Sequence, residues 1–142
     1  MAHVAWEGNL ARGTGSLTAG TGAFSGLEFS LPTRIGLVEG KTSPEELLAA
    51  AHGGCITMSL AGELTLAGTP PGQLDVDVKI VMDEVEGEGH QIVASYVEAT
   101  VAVEGLDEEA LQAAVEKADE SCPFSQLLKR AGADVQITAR LA

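Results

Sequence analysis

A helix-start signal followed by a long run of small and apolar residues constrains the fold of this chain most strongly. Ser43 is a good N-cap residue, Pro44 fits the first helical position, and Glu46 completes a capping box. The run that follows, ELLAAAHGGCITMSLAGELTLAG, ends at the turn-forming sequence GTPPG. This pattern predicts one long helix that begins after Ser43 and stops near Gly68.

Two adjoining faces of this predicted helix carry only apolar and small side chains. One face follows the three-to-four residue spacing of a helix, and the next has little side-chain bulk. These two sets are Leu47, Ala51, Cys55, Met58 and Gly62, and Ala49, Ala50, Gly53, Gly54 and Ala61. Because the helix is apolar and small on most sides, we expect it to be buried, with another element packed very close to it.

The segments on either side of this helix have the patterns of strands and turns. Short apolar fragments between Gly-rich turns predict strands in the first third, and residues 33–35 read as a loop or strand end between Pro32 and Gly36. Alternation of apolar and polar residues then predicts a long hairpin, with strands from Gln73 to about Met82 and from Ile92 to Val103. The acidic stretch EVEGEGH joins the two strands.

Two shorter helices and a last strand complete the predicted order. Asp107 is expected to cap a helix that stops before Cys122, and Pro123 to begin another that ends near Gly132. The segment ADVQITARL then closes the chain as a strand. This order indicates an α+β fold with a mainly antiparallel sheet, and 142 residues with 45% hydrophobic side chains suit a single domain over 1–142.

The charge of the chain excludes some partners. Twenty-one acidic and 8 basic side chains give a formal net charge of −13, which repels nucleic acids and anionic membranes. We see no secretory signal, and we expect no membrane span, because no apolar run approaches the ~18 residues that a span requires. The expected location is the cytoplasm.

Two cysteines in a cytoplasmic chain are more often buried bystanders, metal ligands or a redox pair than a structural disulfide. Gly53-Gly54 before Cys55 leaves room for a substrate, although a buried Cys can also serve as a small hydrophobe. Because Cys122 precedes Pro123, the chain should bend there and leave Cys122 near a helix N-cap. That position stabilises a thiolate, although Cys-Pro can also merely mark a helix break.

Polar residues that could assist a thiol are few. His52 lies three residues before Cys55, and a Cys–His pair of this kind would suit a thiol hydrolase or acyltransferase. A guanidinium from Arg34 beside Cys55 would lower the thiol pKa, and Glu45 could orient that guanidinium. From the residues alone, Glu45 is better explained as an acidic residue in a helix first turn. A zinc site would need His52 or His90 as further ligands, and H-x-x-C is too weak a signal to predict one.

The runs TSPEELLAAAHGGCITMSLA and ADESCPFSQLLKRA together resemble the osmotically inducible protein C family and its relatives, the organic hydroperoxide resistance proteins. The P-E-E-L start, the A-H-x-x-C centre and the C-P-x-S turn occur in order, and the A-H-x-x-C form looks more like the osmotically inducible branch. The resemblance implies a thiol-dependent peroxidase without a bound cofactor. By position, Cys55 matches the peroxidatic cysteine, Cys122 the resolving cysteine, and Arg34 with Glu45 the active-site pair.

The same resemblance implies an intertwined homodimer, in which curved, mainly antiparallel sheets surround a long central helix from each subunit. It also implies an organic hydroperoxide as substrate and an external dithiol, dihydrolipoyl groups among them, as reductant. Gly53-Gly54 and Ile56 depart from the family pattern, which has Ala or Ser and Phe at these positions. These departures reshape the pocket and therefore affect substrate preference.

Helix geometry adds an expectation about the site. Glu45 and Cys55 are ten residues apart on one predicted helix, which separates them by about 15 Å along its axis. If both are catalytic, Arg34 and Glu45 should reach the Cys55 of the other subunit, while Cys122 should lie near Cys55 of its own chain. A Cys–His thiol hydrolase and a non-catalytic dimeric binding protein are the alternative functions.

Overall fold

The computed structural model describes residues 1–36 and 39–142, which form two compact units, Met1–Leu47 and Leu48–Ala142. Apart from one short additional helix, strands and helices occur in the predicted order, which confirms the α+β class. In chain order the elements are β1 (Ala2–Glu7), β2 (Thr14–Ala19), β3 (Leu27–Phe29), α1 (Leu31–Ile35), α2 (Pro44–Leu66), β4 (Gln73–Val85), β5 (Gly89–Ala102), α3 (Glu108–Ser121), α4 (Pro123–Arg130) and β6 (Asp134–Leu141).

The first unit contains an antiparallel sheet in the order β1-β2-β3. Gly15 of β2 lies opposite Phe29 of β3, and a Cβ atom on Gly15 would come within 2.2 Å of the Phe29 ring. Only glycine therefore lets the ring lie across this strand. Trp6 packs against the same ring, with 5.8 Å between ring centroids.

Helix α1 differs from the sequence-based expectation. The predicted loop or strand end at 33–35 is wrong, because Leu31–Ile35 forms a short helix. Pro32 suits the first turn of a helix, where its missing N–H is not needed. The Thr33 hydroxyl completes the turn, since it accepts from the Ser30 backbone N–H at 2.9 Å and donates to the Ser30 carbonyl at 2.8 Å.

The second unit contains a sheet in the order β4-β5-β6. Strands β4 and β5 form the predicted hairpin as an antiparallel pair, whereas β6 pairs with β5 in parallel. The hairpin extends beyond its predicted ends, so that the acidic connection narrows to residues 86–88. Its register shifts once, between Val81 and Met82.

Helix α2 begins and ends where the sequence predicts. The Ser43 hydroxyl accepts the backbone N–H of Glu46 at 3.1 Å, as an N-cap should. The Glu46 carboxylate accepts from the Thr42 hydroxyl at 2.6 Å, so this side chain stabilises the residue before the cap. The helix then continues without a break to Leu66.

One face of α2 is buried in the core of the second unit. At Gly53 the helix lies so close to β4 that an added Cβ atom would stand 3.1 Å from the Val78 side chain. Each fully buried Leu or Ile contributes about 1.5–3 kcal/mol to the free energy of unfolding. The buried α2 residues are His52, Ile56, Leu60 and Leu64, and the three apolar ones share this core with Val97 and Val101 of β5 and Leu111 and Val115 of α3.

The single chain buries one face of α2, and the expectation that the whole of this apolar helix is buried stays a prediction. A second face stays exposed, and Met58 on it is 71% exposed. Cβ atoms added at Gly54 or Gly62 would meet no atom within 4 Å. We call this face the open stripe of α2; it comprises Ala50, Gly54, Met58, Gly62 and Leu66.

Among the described residues, α2 is the one helix long and apolar enough to cross a membrane by length and composition. It has 23 residues and a mean hydropathy of 1.2 over an 18-residue window. The expectation that no apolar run approaches this length was therefore wrong. A single helix of this kind is weak evidence for a membrane span, because core helices of soluble proteins meet the same criterion.

Helices α3 and α4 meet at Cys122, which ends the first and caps the second. Its backbone is extended, with φ −75° and ψ 113°, as the following Pro123 requires. Its N–H donates to the Ala118 carbonyl at 2.9 Å, and its sulfur accepts the Ser125 N–H at 3.5 Å. The predicted bend and the predicted cap position of Cys122 are confirmed.

We expect Asp107→Ala to destabilise the protein by about 1 kcal/mol, because the Asp107 carboxylate accepts the Ala110 N–H at 2.8 Å at the start of α3. The melting temperature should fall by about 3–4 °C at fixed protein concentration. Asp107→Asn keeps an acceptor at the cap and should retain most of the stability. Equal losses in the two variants would show that the cap hydrogen bond contributes little.

Candidate functional site

The two cysteine sulfurs lie side by side in the second unit, although 67 residues separate them in the chain. The Cys122 thiol donates to the Cys55 sulfur at 3.1 Å, and both thiols are free. A disulfide has its sulfurs about 2.05 Å apart, so closure needs an approach of about 1 Å. Cys122 is fully buried, whereas Cys55 is partly exposed. Of the two, Cys55 is therefore the thiol that a substrate can reach.

The first turn of α4 donates to both sulfurs. The backbone N–H of Phe124 hydrogen-bonds to the Cys55 sulfur, and that of Ser125 to the Cys122 sulfur. Free N–H groups at a helix N-terminus stabilise negative charge. Each cysteine sulfur therefore accepts a hydrogen bond from a backbone N–H of this turn.

Burial disfavours the Cys55 thiolate, and its effect on the thiol pKa is larger than that of the helix N-terminus. Burial raises the pKa of the Cys55 thiol, the close pairing with the second thiol, Cys122, raises it further, and the Phe124 N–H lowers it by less. The protonated thiol is therefore favoured in the single chain. A positive charge beside the sulfur would favour the thiolate.

Arg34 and Glu45 form an ion pair in the first unit. Arg34 Nε and Nη2 donate to the same oxygen, Glu45 Oε1, at 3.0 and 2.6 Å. This hydrogen bond raises the pKa of Arg34, so the guanidinium stays charged. Glu45 Oε2 is buried and has no hydrogen-bond partner among the residues that the structure describes.

The structure thus assembles the four predicted site residues as two pairs. Arg34 and Glu45 hold each other in the first unit, and Cys55 and Cys122 meet in the second. Glu45 and Cys55 share α2, ten residues apart, which is about 15 Å of helical rise. One straight helix cannot bring its own Glu45 back to its own Cys55.

His52 occupies a different position from the one that a Cys–His pair requires. The imidazole is fully buried, with Nδ1 2.8 Å from Ser95 Oγ and Nε2 2.9 Å from Ser125 Oγ. Burial lowers the pKa of His52. Both ring nitrogens are engaged, so neither is left to deprotonate Cys55.

Ser95 and Ser125 were not identified as site residues from the sequence. Ser95 stands at an inward position of the β5 alternation, and Ser125 belongs to the C-P-x-S turn. These two features are the only indications in the sequence that the serines belong to the site, and both are weak. A polar residue at an inward position needs a partner, and the partner here is a histidine. Within 1–36 and 39–142, no group of three or more His, Cys, Asp or Glu side chains is placed to hold a metal ion.

Comparisons with known proteins find relatives over most of this chain. Peroxiredoxin OsmC of Escherichia coli (strain K12) is 35% identical over 124 residues, which cover 87% of this chain and 85% of that protein. The organic hydroperoxide resistance protein of Xanthomonas axonopodis pv. citri is 32% identical over 117 residues, covering 78% and 76%.

Solved structures share the fold. An organic hydroperoxide resistance protein from Elizabethkingia anophelis superimposes with a TM-score of 0.80 at 22% identity, covering all of this chain and 96% of that one. OhrB of Bacillus subtilis superimposes with a TM-score of 0.72 at 24% identity, covering 99% and 98%.

The family model described as OsmC-like protein matches residues 38–138, which include both cysteines and the whole of α2. This match covers well over half of the chain, and the relatives above cover more than two thirds of it. The resemblance seen in the sequence is confirmed, and the chain belongs to the OsmC-like protein family.

Proposed function

We propose that this protein is a thiol-dependent peroxidase that reduces organic hydroperoxides to alcohols. The observation that carries the proposal is the 3.1 Å contact between the Cys55 and Cys122 sulfurs at the N-terminus of α4. The names of the relatives, peroxiredoxin and organic hydroperoxide resistance protein, support a peroxidase role for the family.

The proposed reaction begins at the accessible sulfur. Cys55 thiolate attacks the distal oxygen of the hydroperoxide, and the S–O bond forms as the O–O bond breaks. Two electrons pass from sulfur to the peroxide, and the alkoxide takes a proton and leaves as the alcohol. Cys55 is left as a sulfenic acid.

Cys122 completes the proposed cycle. Its sulfur attacks the sulfenic sulfur of Cys55, a disulfide forms, and water leaves. An external dithiol then supplies two electrons and two protons to restore both thiols, and a dihydrolipoyl group is the reductant that we propose. This sequence of steps requires no bound cofactor.

The surroundings of Cys55 favour an apolar substrate. Ala51 and Met58 lie one turn away from it on either side along α2, and Phe124 packs against the same core. Apolar lining of this kind favours an organic hydroperoxide over hydrogen peroxide. A Cβ atom added at Gly54 would meet nothing within 4 Å, whereas the space at Gly53 is closed by Val78.

We further propose a homodimer in which Arg34 and Glu45 of one subunit serve Cys55 of the other. Burial raises the Cys55 pKa, so the thiolate needs a cation. Arg34 is such a cation, charged and 42% exposed. The helical rise between Glu45 and Cys55 favours a site shared between subunits. The open stripe of α2 suits close contact with a second helix, because its glycines let a backbone approach.

The alternative functions are less well supported. A Cys–His thiol hydrolase needs a free imidazole nitrogen beside Cys55, and both nitrogens of His52 bond to serines. A non-catalytic binding protein has no need for two free thiols in contact. The free state of both thiols also suits the cytoplasm, which is the location that we propose.

Replacing each cysteine separately tests the chemistry. Cys55→Ser should abolish reduction of cumene hydroperoxide, because an alcohol stays protonated at neutral pH. Cys122→Ser should allow one turnover and then stop in the presence of a dithiol reductant. Single-turnover and steady-state peroxide consumption measure the two effects. Full steady-state activity in Cys55→Ser would exclude the proposed mechanism.

The proposed dimer contact predicts an effect of charge on the open stripe. Met58→Glu should convert the dimer to a monomer, since Met58 is 71% exposed in one chain but would be covered by the second copy. Sedimentation equilibrium measures this change. Ala113→Glu places the same charge on an exposed position of α3 and should leave the dimer intact. An unchanged dimer in Met58→Glu would place the subunit contact elsewhere.

The proposed role of Arg34 predicts a shift in pH dependence. Arg34→Ala removes a positive charge that stabilises the thiolate, so the Cys55 pKa should rise. The rate of peroxide attack should then reach half its maximum at a higher pH than in the wild type.

Mixed dimers test whether Arg34 serves the Cys55 of its own subunit or that of the other subunit. Combining an Arg34→Ala chain with a Cys55→Ser chain confines both lesions to one site of a cross-chain heterodimer, so about half of the wild-type activity per dimer should return. Purified heterodimers with no more than about half of the activity of the Arg34→Ala homodimer would show that Arg34 serves its own chain.

A further inference from the structure

Four residues form a closed ring of contacts between α2 and α4. Cys55 and His52 are one turn apart on α2, and His52 Nε2 lies 2.9 Å from Ser125 Oγ. The Ser125 backbone N–H donates to Cys122 Sγ at 3.5 Å, and Cys122 Sγ lies 3.1 Å from Cys55 Sγ. Ser125 therefore contacts the histidine with its side chain and the second cysteine with its backbone.

This ring is anchored in the core of the second unit. His52, Ser95 and Ser125 are all fully buried, and the second imidazole nitrogen bonds to Ser95 of β5. A buried hydrogen bond is costly to break, because the group left behind has no water to replace its partner. The first turn of α4 is thus fixed to both α2 and the sheet.

Burial lowers the pKa of His52 and favours the neutral imidazole. The nearby charges have smaller effects: Asp119 of α3 raises the pKa and Lys129 of α4 lowers it, and these two side chains pair with each other. A neutral imidazole donates from one nitrogen and accepts at the other. Serine hydroxyls can meet either requirement, so both hydrogen bonds persist over the neutral pH range.

We propose that His52 and Ser125 are positioning residues for disulfide formation, holding the first turn of α4 so that Cys122 stays in contact with the Cys55 sulfur. The inference rests on the proposed peroxidase function. It assigns these residues to the second chemical step, since neither ring nitrogen is free for the attack on the peroxide.

The position of Cys122 decides between two fates of oxidised Cys55. Attack by the Cys122 thiol forms the disulfide and releases water. A second hydroperoxide instead transfers its distal oxygen to the sulfenate, which gives sulfinate and an alcohol and inactivates the enzyme. Loss of the His52–Ser125 bond should slow the first route and leave the chemistry of the second unchanged.

Ser125→Ala tests this assignment, with Ser121→Ala as the matched control. Ser121 is also next to Cys122 in space and sequence, but its hydroxyl donates to the Ala118 carbonyl of its own helix. Each reduced protein is treated with increasing cumene hydroperoxide without reductant, and intact-protein mass spectrometry separates disulfide from sulfinate. Stopped-flow measurement of Cys55 oxidation gives the rate of the first step.

We expect Ser125→Ala to need roughly tenfold less hydroperoxide for half-maximal sulfinate formation, since small misplacements of reacting groups cost up to about 10²-fold in rate. The rate of the first step should change by much less than tenfold, because Phe124 and not Ser125 donates to the Cys55 sulfur; general destabilisation would not separate the two steps in this way. Ser121→Ala should match the wild type in both measurements. Equal sulfinate formation in Ser125→Ala and Ser121→Ala would overturn the inference.

Circular dichroism shows whether Ser125→Ala folds. If it does not, a second variant tests the inference. The triple variant His52→Leu/Ser95→Ala/Ser125→Ala removes the whole network and leaves no member unpaired, which costs less than leaving one partner alone. It should show the same sensitivity to sulfinate formation, and wild-type behaviour would overturn the inference. A wild-type protein that forms no disulfide with hydroperoxide would instead overturn the proposed function itself.

Discussion

The contact between the first turn of α4 and the middle of α2 determines what this protein can do. Cys122 ends one helix and caps the next because Pro123 forces an extended backbone before it. Because of that bend, backbone N–H groups of α4 donate to the two sulfurs, and the Ser125 hydroxyl contacts His52. Without the break, the thiol of Cys122 would be one more buried group on a continuous helix.

Burial and reactivity oppose each other at this contact. The core that fixes the geometry also raises the pKa of Cys55, and the helix N-terminus only partly offsets that effect. A peroxidase therefore needs a cation that does not belong to the same core. Arg34 meets this requirement in the composite site that we propose, because Glu45 orients it and keeps it charged.

Local signals in the sequence predicted the elements that depend on neighbouring residues. Ser43 and Asp107 act as caps through contacts three residues away, and these are visible in a sequence. The sequence does not indicate which face of α2 is buried, because apolar and small residues occur on most sides of that helix. The His52–Ser125 bond joins residues 73 apart, so only the fold brings them together. Helix α1 was missed because it depends on the hydroxyl of a single residue, Thr33.

The two consecutive glycines of α2 show how one helix can meet two different requirements. Neighbouring residues on a helix point about 100° apart, so Gly53 and Gly54 face different surroundings. At Gly53 the missing side chain lets α2 approach Val78 of its own sheet, whereas at Gly54 the space is open. A glycine in a helix interior costs about 0.8–1.0 kcal/mol relative to alanine. Packing of the sheet offsets that cost at Gly53, and close approach of a second subunit is the compensation that we propose at Gly54.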